Sequence, residues 1–539
     1  MRITTKIMQS NSLSNINKNK ELQDKLNTQM ATEKKINRPS DDPVVAIRAL
    51  RLRTNVSQVT QYYEKNVPDA ESWLKITEDS LTTVSEVITD LIEQTQKGAS
   101  EKLTSSDRLT ILDALKSLRD EVYATGNADY AGRSVFTGYR TESTLKYIED
   151  TTKKYSITED ITTADIDVIQ HVVTGNLNGI NDANYDTADY ENIVEQDIAT
   201  QSIYRIRLGY SDVDGLDSTT VTDANGTVVR AAIPAIQYYD STVPNADGTT
   251  GAYVDLGITP AVASINDDPA PYEKVLVDGM VLIKETGELL MGEDVYTKLM
   301  SKKDDVNTPF DETSILVTYE KSNWEKNDLK PEHYFKCEDV SDSTDIILYN
   351  PDYIIPGKEV EKQVIEYDVG MNQTIRVNTT ADEVFVHAIG RDVDDLVAAM
   401  QEVVDMEETI GRLENMAANE QYTEDELNII NNQLDAANKA LTYLNEKTQK
   451  LFESGITKMQ EHLDMVNLAT TNCGTRGKKL ELIENRLMSQ QTNFEELQSE
   501  NENVDVTDVA IQLTSAELTY EAALMATSKI MQTSLMNYI

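Results

Sequence analysis

The sequence predicts a multidomain α+β protein in which long coiled-coil-like helices from both termini pack together and a β-rich insert fills the centre. Apolar residues recur at alternating spacings of three and four near both ends, which is the pattern of a helix seam. From about 145 to 390 the texture changes to Thr, Val, Ile and Tyr with frequent turn signals. Charge adds a third observation: residues 1–38 carry eight basic and three acidic side chains, and residues 480–539 carry two basic and ten acidic. That complementarity favours docking of one end against the other.

Taken in order, Asp42 is a helix N-cap and Pro43 a first helical residue. The seam then runs through Val45, Ala49, Leu52, Val56, Val59 and Tyr63. After Pro68 it resumes at Ala70, Leu74, Leu81, Val84, Ile88 and Leu91, and a third helix carries Ile111, Leu115, Leu118 and Val122. In the central insert, Asp223 to Gly226, Ala246 to Gly248 and Asp278-Gly279 read as hairpin turns. The segments Pro269 to Pro271 and Asn350 to Pro356 read as loops or subdomain joints.

Helical spacing returns at Leu396, Met400, Val403 and Ile410, then continues through Leu427, Ile430, Leu434, Ala437, Leu441 and Leu444. Past Gly474 and Gly477 the seam reappears at Leu480, Ile483, Leu487, Phe494 and Leu497. The last helix presents Val509, Leu513, Tyr520, Leu524, Met531 and Leu535, and would reach roughly 50 Å. A terminal seam with no second layer over it would be left uncovered in a monomer, which points to assembly with neighbouring subunits.

Composition narrows the function. The chain has 539 residues, 39% hydrophobic and 26% charged, which fits a folded protein of several domains. With 93 acidic and 49 basic side chains, its net charge of -44 disfavours nucleic acid and anionic membrane surfaces as partners. Cys337 and Cys473 are too few for a disulfide framework or a zinc quartet. Residues 1–6 lead into Asn, Ser and Gln with no apolar core, so no general-secretion signal is expected, and no apolar run is long enough for a membrane span.

Catalysis finds no support. His171, His333, His387 and His462 are scattered, and no nucleophile elbow, phosphate loop or zinc-protease pattern occurs. His333 and Cys337 lie close in sequence but read as structural residues. Asp212 to Asp217 suggests a calcium loop, yet its glycine is fourth and Asp223 stands where a bidentate Glu is usual, so a turn is expected. No catalytic residue, cofactor or metal ligand is assigned. The 25 tyrosines against six phenylalanines suit a β insert with an exposed surface.

In Met1 to Thr5, Arg38 to Pro43, Gly132 to Tyr139, Asp505 to Asp508 and Tyr520 to Ala523 the chain resembles the flagellin superfamily, and within it the proteins at the junction of hook and filament. The opening Met1 to Thr5 resembles the shared start of that superfamily. The segment Arg38-Pro39-Ser40-Asp41-Asp42-Pro43 is similar to the junction branch, where flagellins carry Asp-Asp-Ala-Ala-Gly. Gly132-Arg-Ser-Val-Phe136-Thr-Gly138-Tyr139 resembles a junction-type segment closing the N-terminal helices, and reads as a hairpin with glycines at its bends. Residues Asp505 to Asp508 and Tyr520 to Ala523 resemble the superfamily's terminal helix.

The resemblance implies a structural, non-enzymatic subunit that self-associates in a ring-like layer between the first hook-associated protein and flagellin. It implies a cytoplasmic export chaperone at the C-terminal helix, export through the flagellar type III apparatus without a cleaved signal, and an extracellular place in the flagellum. Three domains are expected. Residues 1–40 with 505–539 form a terminal helical assembly domain, loose in the monomer. Residues 41–145 with 390–504 form a helical bundle with a hairpin near 126–143, and 146–389 a β-rich outer insert of one or two subdomains. A filament flagellin, or a flagellin-like protein with an enzymatic or adhesive insert, is the alternative.

Overall fold

The computed structural model describes residues 5–100, 102–218, 221–222, 228–230, 234–244, 250–267, 270–275, 279–301, 313–342, 345–354 and 363–536. Among them are eight α-helices: α1 (Thr5–Thr32), α2 (Pro43–Gln61), α3 (Val67–Gly98), α4 (Ser105–Thr125), α5 (Glu293–Met300), α6 (His387–Ala417), α7 (Glu424–Glu502) and α8 (Val506–Met536). The chain divides into two units: Met1–Glu71 with Glu366–Ile375 and Gly477–Ile539, and Ser72–Ile365 with Arg376–Arg476. Long helices from both ends and a β-rich centre, the architecture expected from the seams, are both present.

In the first unit α1 packs on α8. The last turn of α1 adjoins the first turn of α8, where Val504 N–H donates to Glu33 O at 3.0 Å, so the two run antiparallel. Leu26, Val509 and Ala516 form the buried centre of the pair, with Val504 and Leu513 against them. The covered row of α1 continues through Gln9, Ser12, Ile16, Asn19 and Gln23, mostly polar, so this seam buries little apolar surface.

Proline and glycine act differently here than their sequence positions suggest. A π-helical turn, Tyr62–Asn66, joins α2 to α3, with Val67 N–H bonded to Tyr62 O, and the helical path runs on through Pro68. The widened turn lies just ahead of the residue that has no N–H to give. Gly474 and Gly477 likewise do not divide the C-terminal seam: α7 is one helix of 79 residues. Each glycine costs about 1 kcal/mol in a helix interior, less than the buried leucines and alanines on either side return.

The second unit holds the two large sheets. A seven-stranded sheet is ordered Thr250–Asp255, Ile236–Pro244, Ser314–Lys321, Tyr155–Thr162, Lys336–Asp339, Ile347–Tyr349, with Gly215–Leu216 also on Ser314–Lys321. Its centre is Ser314–Lys321, paired residue for residue with Tyr155–Thr162, and Ile315, Val317 and Tyr319 are fully buried. A five-stranded sheet is ordered Ala261–Ala263, Met280–Ile283, Glu288–Met291, Ala199–Arg207, Asp167–Val173.

The turns Asp223 to Gly226 and Ala246 to Gly248 lie outside the described residues, though the strands flanking each pair antiparallel. Asp278 lies outside the described residues, and the strands before and after Asp278-Gly279 do not pair as a hairpin. Ala261–Ala263 pairs parallel with Met280–Ile283, because the connection between them is long enough to cross over. Of the segments read as joints, Pro271 opens a 3-10 turn, Pro271–Glu273, inside that connection, and Pro351 opens another, Pro351–Tyr353. Pro269 and Pro356 lie outside the described residues.

Helices α6 and α7 pack through Val403, Met406, Ile410, Leu413, Ile430, Ala437, Ala440 and Leu444, the apolar positions read from the sequence and their neighbours. The connection from Thr174 to Ile198, inside the stretch read as β-rich, wraps this helical pair instead. Leu177, Ile180, Tyr185 and Ile198 bury into its core, and Gln433 Nε2 donates to Tyr185 O and Tyr190 O at 2.8 and 3.0 Å.

Candidate assembly surfaces

The loop between α1 and α2 meets the turn between α7 and α8 in a short antiparallel bridge, Lys34 opposite Asn503. Lys35 N–H donates to Glu502 O at 2.7 Å, and Lys34 Nζ to Asn503 Oδ1 at 2.5 Å. Arg53 closes the clasp with both nitrogens on the Glu502 carboxylate, each at 2.6 Å. That fork geometry is the strong form of the pair. Glu502 is buried, and the Arg53 hydrogen bond holds its carboxyl below the ordinary range despite the desolvation.

The segment Arg38 to Pro43 follows directly. Asp41 Oδ2 accepts from Asn37 N–H and Arg38 N–H at 3.1 and 2.8 Å, which lowers its pKa. Asp42 Oδ1 accepts from Val44 N–H and Val45 N–H at 3.0 and 3.1 Å, and Pro43 occupies the first turn of α2. Arg38, Pro39, Ser40, Asp41 and Pro43 are exposed. These two carboxylates therefore organise backbone, and the rest of the motif faces outward.

On α8 the covered row is Val509, Leu513, Ala516, Tyr520, Ala523 and Thr527. Leu524, expected on the seam, is 43% exposed, because Ala523 takes the position facing α1. The side chains of Met531 and Leu535 lie outside the described residues. A second apolar row stands opposite: Ile511, Leu518 and Met525, exposed by 64%, 63% and 69%. Helix α1 leaves Ile7, Leu13 and Leu22 exposed as well.

Gly132, Phe136, Gly138 and Tyr139 belong to the second unit. Strands Asp129–Tyr130 and Arg133–Ser134 are joined by Ala131 and Gly132, both at positive φ (52° and 79°), the two-residue turn that matches strand twist. Phe136 is buried edge-on to Phe385 with ring centres 4.9 Å apart. Gly138 sits at φ 61°, where an added Cβ would strike Gln363. Tyr139 N–H donates to Gln363 Oε1 at 2.8 Å, and its ring is 64% exposed.

One cluster escaped the sequence entirely. Arg205 and Arg207, on one face of strand Ala199–Arg207, meet carboxylates from three elements. Arg205 pairs with Glu288 at 2.5 Å, Asp395 at 2.7 Å and Asp167 at 3.2 Å; Arg207 pairs with Asp392 at 2.6 Å. Lys458 and His462 of α7 reach Asp392 at 3.1 and 2.8 Å. Burial alone would raise Asp392, but His462, Arg207 and Lys458 bring it well below the carboxylate range. The network ties the five-stranded sheet to α6 and α7. The signal for it was Arg205-x-Arg207, two cations on one strand face in a chain of net charge -44.

Among the described residues no group of three or more His, Cys, Asp or Glu is placed to hold a metal. His333 and Cys337 are buried, with His333 Nε2 3.1 Å from Thr144 O. In place of a calcium loop, Gly215–Leu216 forms a short strand, and Asp217 accepts from Ser156 Oγ at 2.7 Å. No described helix is long and apolar enough to cross a membrane.

Paired terminal helices with exposed apolar rows are the features to set beside known proteins. Residues 3–141 match the family model of the bacterial flagellin N-terminal helical region. Flagellar hook-associated protein 3 of Salmonella typhimurium is 30% identical over 176 residues, 32% of this chain and 55% of that protein. Its namesake from Escherichia coli is 29% identical over 144 residues, 26% and 45% of the respective chains. The chain thus spans about half the length of the curated relatives it matches.

Two solved structures align over most of the chain. A putative flagellar hook-associated protein from Vibrio parahaemolyticus shares 13% identity, covering 86% of this chain and all of that one, with a TM-score of 0.32. Flagellar hook associated protein-3 from Legionella pneumophila shares 11% identity, with coverages of 83% and 96% and a TM-score of 0.28. Superpositions of that quality carry no weight for the fold.

Proposed function

We propose that this chain is a structural, non-catalytic subunit of the bacterial flagellum that joins the hook to the filament. The observation carrying the reading is the second apolar row on α8, together with that on α1: one chain seals only one side of its terminal pair. Apolar rows of this kind mark surfaces covered by other subunits. The flagellin-type N-terminal match and the hook-associated relatives give the apparatus in which those subunits stand.

In this reading the chain forms a ring-like layer, with one axial face toward the first hook-associated protein and the other toward flagellin. Residues Arg38 to Pro43 and Gly132 to Tyr139 act as assembly motifs, and the seam of α8 serves the chaperone before export through the type III apparatus. The terminal helices, 1–40 and 505–539, exchange readily in the monomer and become protected on assembly.

Deleting the gene tests the assignment. Intact hooks with flagellin shed into the medium are expected; hooks bearing normal filaments would overturn it. An antibody should label a single band at the distal end of the hook, and labelling along the filament would make the chain a filament subunit.

A further inference from the structure

Helix α2 carries an apolar face that the α1–α8 pairing does not use. Its covered side is Ala46, Ala49 and Val59, with Val45, Leu52 and Val56 half-buried, as the seam predicts. Val44, Ile47 and Leu50 point away from that side and are 65%, 54% and 62% exposed. Three large aliphatic side chains in the first two turns of a helix form a continuous patch, because residues three apart are neighbours on its surface. Arg48 and Arg51 are exposed beside them, and Arg38 precedes them in the exposed loop. In so acidic a chain this is a local basic, apolar surface.

The complementary surface is on α8. Ile511, Leu518 and Met525 repeat every seven residues, so they form one stripe. Helical rotation of about 100° per residue puts Asp508 on one flank of that stripe and Glu521 on the other, both exposed. Each surface is apolar at its centre and charged at its edge, and the two edges have opposite sign. Such a match brings two surfaces together and fixes their register.

We infer that the α2 face of one chain docks on the α8 stripe of a second copy, with Arg48 and Arg51 against Asp508 and Glu521. The inference rests on the self-association proposed above and deepens it by naming the two faces. Because the faces differ, the contact is head-to-tail: repeated, it closes a ring or runs on as a helix. Docking covers two apolar patches at once, and neither patch is needed for the fold of the chain that carries it.

The test uses the full-length chain and sedimentation velocity over a concentration series. Wild type should self-associate. Arg48→Glu with Arg51→Glu should weaken association about ten-fold or more, as should Asp508→Lys with Glu521→Lys, and the chain carrying all four should regain most of the loss. All four positions are exposed, so unchanged far-UV circular dichroism confirms the fold. A second measurement is cross-linking between separately made Ile47→Cys and Leu518→Cys chains. The mixture should form a disulfide dimer faster than either variant alone.

A wild type that stays monomeric at every concentration would overturn both the self-association reading and this one. Wild-type assembly that neither charge reversal weakens, or that the four-fold variant does not restore, would overturn only the pairing of these faces. Reversals that assemble normally yet abolish filament attachment would also overturn it, since the α2 face would then serve a different protein.

Discussion

The α1–α8 pair and the aromatic core of the second unit handle apolar surface differently. In the unit holding the two large sheets, large side chains are enclosed: Trp73, Trp324, Tyr155, Tyr319, Phe136 and Phe385 are all fully buried. Its charges are enclosed too, as the Arg205 network shows. In the unit holding the chain ends, the buried centre of the α1–α8 pair is Leu26, Val509 and Ala516, while Ile511, Leu518 and Met525 face solvent. In the proposed reading, the exposed rows of the terminal pair are where other subunits would dock. The difference separates residues that hold the subunit together from residues that hold subunits to each other.

The largest effect should come from breaking the enclosed network. Arg205→Leu leaves Glu288 buried without its cation and Asp395 with Arg207 alone, and losing one partner of a buried pair costs about 3–5 kcal/mol. Denaturant unfolding followed by tryptophan fluorescence should show it, since Trp73 and Trp324 both lie in this unit. A loss below about 1 kcal/mol would place the network with ordinary surface pairs and erase the contrast.

Acid should act on the same unit. Burial lowers His333 to about 4 and His171 to about 4, so both are neutral in the fold. The unfolded chain takes up their protons near pH 6.5 and the folded chain does not until near pH 4, so stability falls as pH drops through that window. Glu159 works in the other direction: burial raises it to about 7, and it weakens the fold as pH rises from about 4.5 to 7. With three histidines lowered by burial, His171, His333 and His387, against Glu159, the denaturation midpoint should decline from pH 6.5 to 4, and less steeply in His333→Gln. A midpoint constant over that range would contradict the burial of these rings.

How much of this was legible depended on how local the cause is. Seams repeat within one helix, so Ile430, Ala437 and Leu444 could be placed from spacing, and Asp42 could be read as a cap because its partners are two and three residues away. The clasp at Glu502 and the network at Arg205 depend on pairs tens to hundreds of residues apart, and nothing local marks which of many carboxylates is buried. Pro68 and Gly474 misled because a π-turn and a long flanking seam outweigh single-residue preferences. The exposed row on α2 was visible in principle: Val44, Ile47 and Leu50 add a second apolar face to a helix whose seam already runs through Val45, Ala49 and Leu52.

At the clasp the effect should be smaller and confined. Arg53→Ala removes two hydrogen bonds from buried Glu502, but the arginine is 57% exposed, so solvent recovers part of the loss and about 1–2 kcal/mol remains. Amide hydrogen exchange in α1 and α8 of the monomer should speed up, while tryptophan-detected unfolding stays unchanged. A shift in that unfolding midpoint would mean that the two units melt as one.

The smallest effect isolates the start of α2. Asp42 stands at the N-cap in an extended conformation and satisfies two N–H groups that no helical carbonyl reaches. Asp42→Ala removes both bonds and should cost about 0.5–1 kcal/mol, toward the low end because the site is half-exposed. Asp42→Asn keeps the acceptor and should cost almost nothing. If α2 serves a neighbouring subunit through Val44, Ile47 and Leu50, fraying its first turn displaces those side chains. Asp42→Ala should then weaken self-association more than it weakens the fold, and Asp42→Asn should do neither. Equal losses in both assays, or in both variants, would make Asp42 a cap for stability alone and detach the motif from assembly.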